Sequence, residues 1–220
     1  TRDTLVFGKY SRGYKTGGFN ATDMAPLPRT KEEIVNAYEV GLKQEFREWG
    51  LTTNLAAFLY DYQNVQAPLT VVPAVGPTFS AFVNIPKVET TGFEFEGAWN
   101  PIDPLNIRLT YAYLNAEIAE SDVYSNGLEY ATPACQANPT PGCALGRPES
   151  VEGNKLPQSP EDKVAANVSY LFEFENGSTL LPAINWYWRD EFTTSLFNNP
   201  ETFSDPYQQT DARLIWNDSE

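Results

Sequence analysis

The sequence predicts an all-β protein: an antiparallel transmembrane β-barrel, in which this chain supplies about eight strands of a larger barrel. Three observations support this fold class. Apolar and polar residues alternate with period two, the predicted strands are long, and the connections between them alternate between short and long. A strand that crosses a bilayer at a tilt needs about 9–11 residues, whereas strands of soluble proteins average about 5–6.

The alternation is clearest in four segments. Between Val164 and Phe174 the even positions are apolar, and between Leu105 and Tyr113 the odd positions are apolar. Residues 38–46 and 93–99 show the same period, which indicates strands with one apolar and one polar face. Four further segments are rich in β-forming residues, and Pro182 in one of them is more typical of an edge or a bulge than of a regular central strand. The predicted strands are 4–12, 35–47, 50–63, 80–98, 104–118, 162–175, 178–191 and 207–217.

The connections between these strands alternate in length. Tight turns with suitable Gly, Pro or Asn residues are predicted at 47–50, 100–104 and 175–178. The other connections are long and polar or rich in Pro, and they cover 13–34, 64–79, 119–161 and 192–206. A transmembrane barrel explains this alternation, because its periplasmic turns are short and its extracellular loops are long. Aromatic residues near the strand ends fit the interfacial girdles of such a barrel, and on their own they would equally fit a sandwich core.

Composition restricts the classes of function. The chain of 220 residues has a net charge of −14, which argues against a nucleic-acid partner, because phosphate binding needs a basic surface. No apolar run approaches the about 20 residues that a transmembrane helix requires. There is no His, so the segment has no imidazole to ligate haem, and we expect neither a cofactor nor a metal site.

Two cysteines, Cys135 and Cys143, lie in one segment rich in Pro and Gly. Two cysteines that close a small loop indicate a disulfide in an oxidising compartment. Free thiols or half of a metal site are the alternatives, but the chain has no His and no further Cys to complete a zinc site. The chain starts without an initiator Met or a signal peptide, so we expect an internal fragment of a longer protein.

Charged residues occupy the middle of several predicted strands, next to apolar positions. Facing lipid near the bilayer midplane, each charge would cost about 2–4 kcal/mol. We therefore expect these residues to face the lumen, where they pair with one another, line a water-filled passage or contact a plug. The lumen-facing candidates are Glu39, Lys43, Glu94, Glu96 and Arg108.

Five segments, 7–20, 33–46, 54–66, 88–101 and 154–172, carry motifs in a familiar order. The second contains Tyr-Glu-x-Gly-x-Lys from Tyr38, the fourth contains Gly-x-Glu-x-Glu from Gly92, and the fifth contains Pro-x-x-Pro-x-x-Lys from Pro157. In order and spacing these segments resemble the β-barrel of TonB-dependent outer-membrane receptors.

This resemblance implies a barrel of about 22 strands that is closed by an N-terminal plug domain. It implies a receptor in the outer membrane of a Gram-negative bacterium, which takes up a scarce nutrient such as a ferric siderophore with energy coupled through TonB. The implied partners are outer-membrane lipid, the TonB complex through the plug, and a small-molecule ligand. Residues 1–220 would then be a partial barrel domain from which the plug and the C-terminal strands are absent.

Cations and tyrosines in the long loops are the candidate ligand-binding residues, since charge and stacking could together hold an anionic ferric chelate. For each of them the alternative is an ordinary solvated loop residue. The candidates are Arg12, Tyr14, Lys15, Tyr124, Tyr130 and Arg147.

Two other classes of protein fit parts of the pattern. One is an independent eight-stranded outer-membrane barrel that acts as an adhesin or structural protein, because eight strands suffice for closure. The other is a soluble β-sandwich, such as a carbohydrate-binding module, with the aromatic residues in its core. An enzyme is not expected, because the sequence has no Gly-x-Ser-x-Gly elbow, P-loop or dinucleotide fingerprint.

Overall fold

The computed structural model describes residues 3–20, 29–71, 79–126 and 147–219. Eight long strands form one continuous antiparallel sheet, in which each strand pairs with the next long strand along the chain. They are β1 (Thr4–Lys15), β2 (Glu33–Phe46), β3 (Leu51–Val71), β4 (Phe79–Ile102), β5 (Leu105–Glu120), β8 (Asp162–Tyr170), β10 (Thr179–Arg189) and β13 (Tyr207–Asn217). The eight strands predicted from the sequence are therefore confirmed.

Five short strands complete the described structure. A two-residue strand, β9 (Phe172–Glu173), continues the line of β8 and pairs with β10. The other four form two small hairpins within the long connections: β6 (Val123–Asn126) with β7 (Arg147–Ser150), and β11 (Phe192–Thr193) with β12 (Phe203–Ser204). Among the described residues, no helix is long and apolar enough to cross a membrane.

The sheet is a single layer with two free edges. Within the described residues β1 pairs only with β2, and β13 pairs only with β10, so the first and last strands do not close on each other. A closed eight-stranded barrel would require that pairing. A β-sandwich would require a second large sheet packed on the first, whereas the described chain has one large sheet and two small hairpins.

The structure differs from the prediction at several strand ends. β3 continues to Val71, eight residues beyond the predicted end, and β4 starts at Phe79, so this hairpin projects past the other strands. The strand predicted at 162–175 is interrupted at Leu171, although the N–H of Leu171 still donates to the carbonyl of Pro104, next to the Leu105–Tyr170 pair of β5 and β8. Pro182 lies in a central strand at this interruption: Leu181 and Pro182 pair with β13 but with neither β8 nor β9, as expected where a residue has no N–H to donate.

Two of the predicted tight turns depend on glycine in the left-handed backbone region. Gly50 has a φ of 60° and closes the turn from β2 to β3, where its N–H donates to the carbonyl of Arg47. Gly177 has a φ of 83° in the turn that precedes β10. Residues with a side chain rarely adopt this conformation, so the short turns are fixed by local sequence.

The buried core does not lie between two layers of the sheet but at the end where the long connections emerge. Residues from the projecting β3–β4 hairpin, from β5 and from the long connections pack there into one hydrophobic cluster. Its members are Ala67, Ile85, Val88, Ile118, Tyr124, Val151, Leu196 and Phe197. The long connections are thus folded together over this end of the sheet.

Candidate functional site

The five charged residues that the sequence analysis expects in the lumen all lie on one face of the sheet. Lys43 of β2 lies opposite Asn54 of β3, which lies opposite Glu96 of β4, and directly opposed residues of antiparallel strands share a face. Glu39, Glu94 and Arg108 occupy the same face, because each is separated from this row by an even number of residues. We call it the charged face. The five residues selected from the sequence are therefore brought together on one surface.

The contacts on the charged face are those of a solvated surface. Lys9 approaches Glu39 at 4.0 Å, and the amide of Asn54 donates to Glu96 at 3.1 Å. A hollow of about 310 Å³ lies farther along the same face. Small side chains on β5 and β8 form its floor, and Glu94, Lys163 and Tyr187 stand around it.

The opposite face is apolar over the middle of the sheet and becomes polar toward the long connections, where Arg12, Asn36, Asp61, Glu89 and Glu117 form one row. The register places Val6, Leu42, Leu55 and Phe95 in one row across β1 to β4, with no charged residue among them. Large apolar side chains on this face are exposed: Val40 is 62% exposed, Ile184 56% and Leu214 68%. Exposure of this extent across eight strands is far beyond what a soluble monomer presents to water. We call this surface the apolar face.

Aromatic residues border the apolar face at both strand ends. Near the short turns Phe46 stacks on Trp49 at 5.6 Å between ring centroids, and the indole N–H of Trp99 donates to the carbonyl of Trp49 at 3.0 Å. Near the long connections Tyr10 contacts Tyr38 at 5.2 Å. From Tyr38 to Phe46 the strand runs about 26 Å at about 3.3 Å per residue, or roughly 20 Å after a tilt of about 40°. Two aromatic bands therefore enclose an apolar band.

The candidate ligand-binding residues do not form one cluster. Arg12, Tyr14 and Lys15 are exposed at the end of β1, but Arg12 and Tyr14 lie on the apolar side of the ladder and Lys15 on the charged side. Tyr130 and both cysteines, Cys135 and Cys143, lie outside the described residues. Arg147 begins β7 opposite Asn126, and its backbone alone is described.

Tyr124 has a structural role in the core. It is 8% exposed, and its hydroxyl donates to the backbone carbonyl of Asn84 at 2.7 Å. Burial, with a smaller contribution from the carboxylate of Asp122, raises the pKa of Tyr124 to about 12. Its ring packs in the hydrophobic cluster and leaves little surface for a ligand.

Side chains that the sequence analysis did not single out organise the rim formed by the long connections. Asn84 accepts the N–H of Lys31 at 2.7 Å and donates to the carbonyl of Asn64 at 2.7 Å. Gln66 donates to the carbonyls of Thr16 and Lys31, at 2.9 and 3.1 Å. These amides tie both ends of the β1–β2 connection to the projecting β3–β4 hairpin. Their only sequence signal was their polarity, which long loops share generally.

Comparison with known proteins assigns the fold to a family. The family described as TonB dependent receptor-like, beta-barrel, matches residues 1–219. Members of this family are outer-membrane transport receptors of Gram-negative bacteria rather than enzymes.

Solved structures of receptors superimpose on nearly the whole chain. The ferric yersiniabactin uptake receptor FyuA from Yersinia pestis matches with a TM-score of 0.71 and 19% identity, covering 100% of this chain and 28% of its own. The siderophore receptor PiuA from Acinetobacter baumannii matches with a TM-score of 0.67 and 18% identity, covering 99% of this chain and 28% of its own. BauA, the ferric preacinetobactin receptor from the same organism, matches with a TM-score of 0.66 and 15% identity, covering 100% of this chain and 28% of its own.

At these identities the likeness shows the fold, and the chain spans about 28% of the length of these receptors. The match to the family extends over almost all of the sequence. The chain therefore belongs to the family of TonB-dependent receptor-like β-barrels.

Proposed function

We propose that this chain forms part of the barrel wall of an outer-membrane receptor that imports a scarce nutrient, a ferric siderophore or a similar chelate. In this proposal a plug domain elsewhere in the longer protein couples transport to the TonB complex. The observation that carries the proposal is the division of one eight-stranded sheet into an apolar face and a charged face. An apolar face bordered by aromatic bands suits contact with lipid, and the charged face suits a water-filled lumen.

The direction of the sheet in the membrane follows from its connections. The three tight turns lie at one end, and the long connections with their buried core lie at the other. In outer-membrane barrels the short turns face the periplasm. We infer that the packed connections face the outside of the cell, where a nutrient is first met.

The charged face is proposed to line the lumen with Glu39, Lys43, Glu94, Glu96 and Arg108. A lone cation or carboxylate facing lipid would cost about 2–4 kcal/mol near the midplane. When they face water or a plug, these residues are solvated or paired with an opposite charge. Glu39, for example, lies 4.0 Å from the ammonium of Lys9.

The names of the structural relatives support iron as the nutrient. Three of them are described as receptors for ferric yersiniabactin, for a siderophore and for ferric preacinetobactin. Those ligands belong to those proteins. For this chain they support the broader class of a chelated metal, taken up from outside the cell.

The test uses the full-length receptor in its own cell. Deletion of the gene should abolish uptake of at least one radiolabelled iron(III) chelate under iron limitation, and a protonophore should have the same effect on the wild type. The receptor should also fractionate with the outer membrane and change its gel mobility on boiling. Normal uptake of every iron(III) chelate by the deletion strain would contradict the proposal.

A further inference from the structure

An exposed cluster of cations and phenylalanine rings lies at the rim where the first two hairpins of the sheet meet. We call it the rim patch, and its members are Lys15, Phe19, Arg29, Lys31 and Phe82. It includes one of the cations selected from the sequence, Lys15, but neither phenylalanine ring was a candidate there.

The β1–β2 ladder continues into the connection and aligns the patch. Gly18 and Thr30 form an isolated bridge, with backbone hydrogen bonds of 2.9 and 3.2 Å, in the same register as β1 and β2. In this register Phe19 lies opposite Arg29. Phe19 is separated from Lys15 by an even number of residues, so both lie on the side of the ladder that carries Glu39. The patch thus continues the charged face beyond the strands.

Each phenylalanine ring of the patch already engages a cation. The guanidinium of Arg29 lies 4.4 Å from the ring centroid of Phe19, and the ammonium of Lys15 lies 5.8 Å from that of Phe82. The rings are nevertheless 75% and 50% exposed, so surface remains for another group. A cation held on an aromatic ring next to open ring surface is suited to a ligand that combines negative charge with flat groups.

The three cations have no carboxylate partner in the part of the chain that the structure describes. No ion pair within 4.0 Å involves Lys15, Arg29 or Lys31. Glu33, which lies opposite Lys15, accepts the backbone N–H of Gln66 at 2.9 Å instead. In a chain with 29 acidic and 15 basic residues, cations left together without partners create a local positive potential that an anion can use.

Amide side chains hold the two halves of the patch together. Asn20 donates to the carbonyl of Phe82 at 2.9 Å and accepts its N–H at 2.7 Å. Asn84 accepts the N–H of Lys31 at 2.7 Å and donates to its carbonyl at 3.2 Å. Because these bonds fix the backbone on both sides, little further ordering is needed when a ligand binds, which favours affinity.

We propose that the rim patch is a binding site for an anionic ligand that carries planar aromatic groups, and that it discriminates such ligands from neutral ones of similar size. The proposal rests on the proposed function, because it takes the ligand to be a chelate imported by the receptor. Arg29 and Lys31 would contact the anionic groups, and Phe19 and Phe82 would stack against the rings.

The test compares two iron(III) chelates on the purified full-length receptor in detergent. The anionic probe is the trianionic iron(III) tris-catecholate complex, and the neutral probe is an iron(III) tris-hydroxamate. The double variant Arg29→Gln/Lys31→Gln should bind the catecholate roughly tenfold or more weakly, because each lost charged contact is worth about one factor of ten. The effect should shrink at high salt.

The matched control is Lys87→Gln. Lys87 is a cation on the same hairpin as Phe82, but it already has a carboxylate partner, Glu89. Lys87→Gln also removes one positive charge from the hairpin, and it should change catecholate binding less than twofold. A second variant, Phe19→Ala/Phe82→Ala, keeps every charge and should also weaken catecholate binding.

The outcomes separate the two proposals. If the wild type binds the catecholate and the patch variants bind it equally well, the rim patch is overturned while the uptake function stands. If the variants lose the neutral hydroxamate as strongly as the catecholate, selectivity by charge is overturned. If the wild type binds neither probe and the deletion strain takes up every chelate normally, the proposed function itself fails.

Discussion

At the scale of single residues, Tyr124 illustrates how burial changes the role expected of a side chain. From the sequence it was a candidate for stacking on a ligand, and in the fold it donates a hydrogen bond to Asn84 from within the hydrophobic cluster. A raised pKa means that the folded state holds the phenol proton more tightly than the unfolded state does. The stabilisation is therefore complete below pH of about 10 and is lost as pH rises toward 12.

We expect Tyr124→Phe to lower the free energy of unfolding by about 1 kcal/mol at neutral pH, since one hydrogen bond is lost. The variant should also lose less stability than the wild type between pH 10 and 12. Denaturant unfolding at several pH values measures both effects. Tyr14→Phe is the control, because Tyr14 is 76% exposed. An equal loss of stability between pH 10 and 12 in the wild type and in Tyr124→Phe would contradict this account.

Gly92, on the charged face, is a position where the surrounding atoms leave no room for a side chain. A Cβ added to Gly92 would collide with the carbonyl oxygen of Tyr113 and with the ring of Phe58, which covers this glycine from the neighbouring strand. The position therefore accepts only glycine, because the obstructing carbonyl belongs to the paired backbone.

Gly92→Ala should destabilise the sheet by about 1–3 kcal/mol, as overpacking typically does. Gly8→Ala is the matched control, since its Cβ would meet only one atom, at 4.0 Å. The midpoint of denaturation of the detergent-solubilised receptor measures the difference. Equal midpoints for the two variants would rule out the steric explanation.

At the scale of elements, the long connections are held to the projecting β3–β4 hairpin by specific side chains rather than by strand pairing alone. Gln66 is central, because its amide donates to two carbonyls of the β1–β2 connection and its backbone N–H donates to Glu33. The sequence predicted that these connections would be long, but it did not indicate that they fold together.

Gln66→Leu should accelerate hydrogen exchange of the backbone amides in residues 16–20 and 29–33 by about tenfold or more, because two anchoring bonds of about 1 kcal/mol each are removed. Exchange in β4 and β5 should be unchanged. Gln63→Leu is the control, as this exposed glutamine three residues earlier makes no side-chain hydrogen bond within the described residues. Unchanged exchange in Gln66→Leu would show that the connections are held by other contacts.

At the scale of the whole molecule, the distribution of side chains between two faces decides what the sheet can contact. Adjacent residues of one strand should respond oppositely to the same substitution, because Leu55 lies on the apolar face and Asn54 on the charged face beside Glu96. A lysine on the lipid side near the midplane would cost about 2–4 kcal/mol.

We therefore expect Leu55→Lys to reduce the amount of folded receptor in the outer membrane strongly, and Asn54→Lys to leave it near the wild-type amount. Asn54→Lys would place an ammonium beside the carboxylate of Glu96, which keeps the polar contact. Heat-modifiable mobility on gels reports the folded fraction. Equal assembly of both variants would contradict the orientation of the sheet proposed here.

The sequence by itself determined the eight long strands, their alternating short and long connections and the membership of the two faces. These features are local: period two assigns each side chain to a face as soon as the strand is known, and glycine or proline fixes each tight turn. For the same reason the five charged residues of the central strands could be selected together before any contact was known.

Only the tertiary structure decided what depends on residues far apart in the chain. The burial of Tyr124 and the rim patch arise where segments far apart in the chain meet: Tyr124 contacts Asn84, 40 residues away, and Asn20 contacts Phe82, 62 residues away. Loop residues have no periodic constraint, so the sequence leaves their partners open. The wall of the barrel is thus specified locally, whereas the surface proposed to meet the ligand is specified by long-range packing.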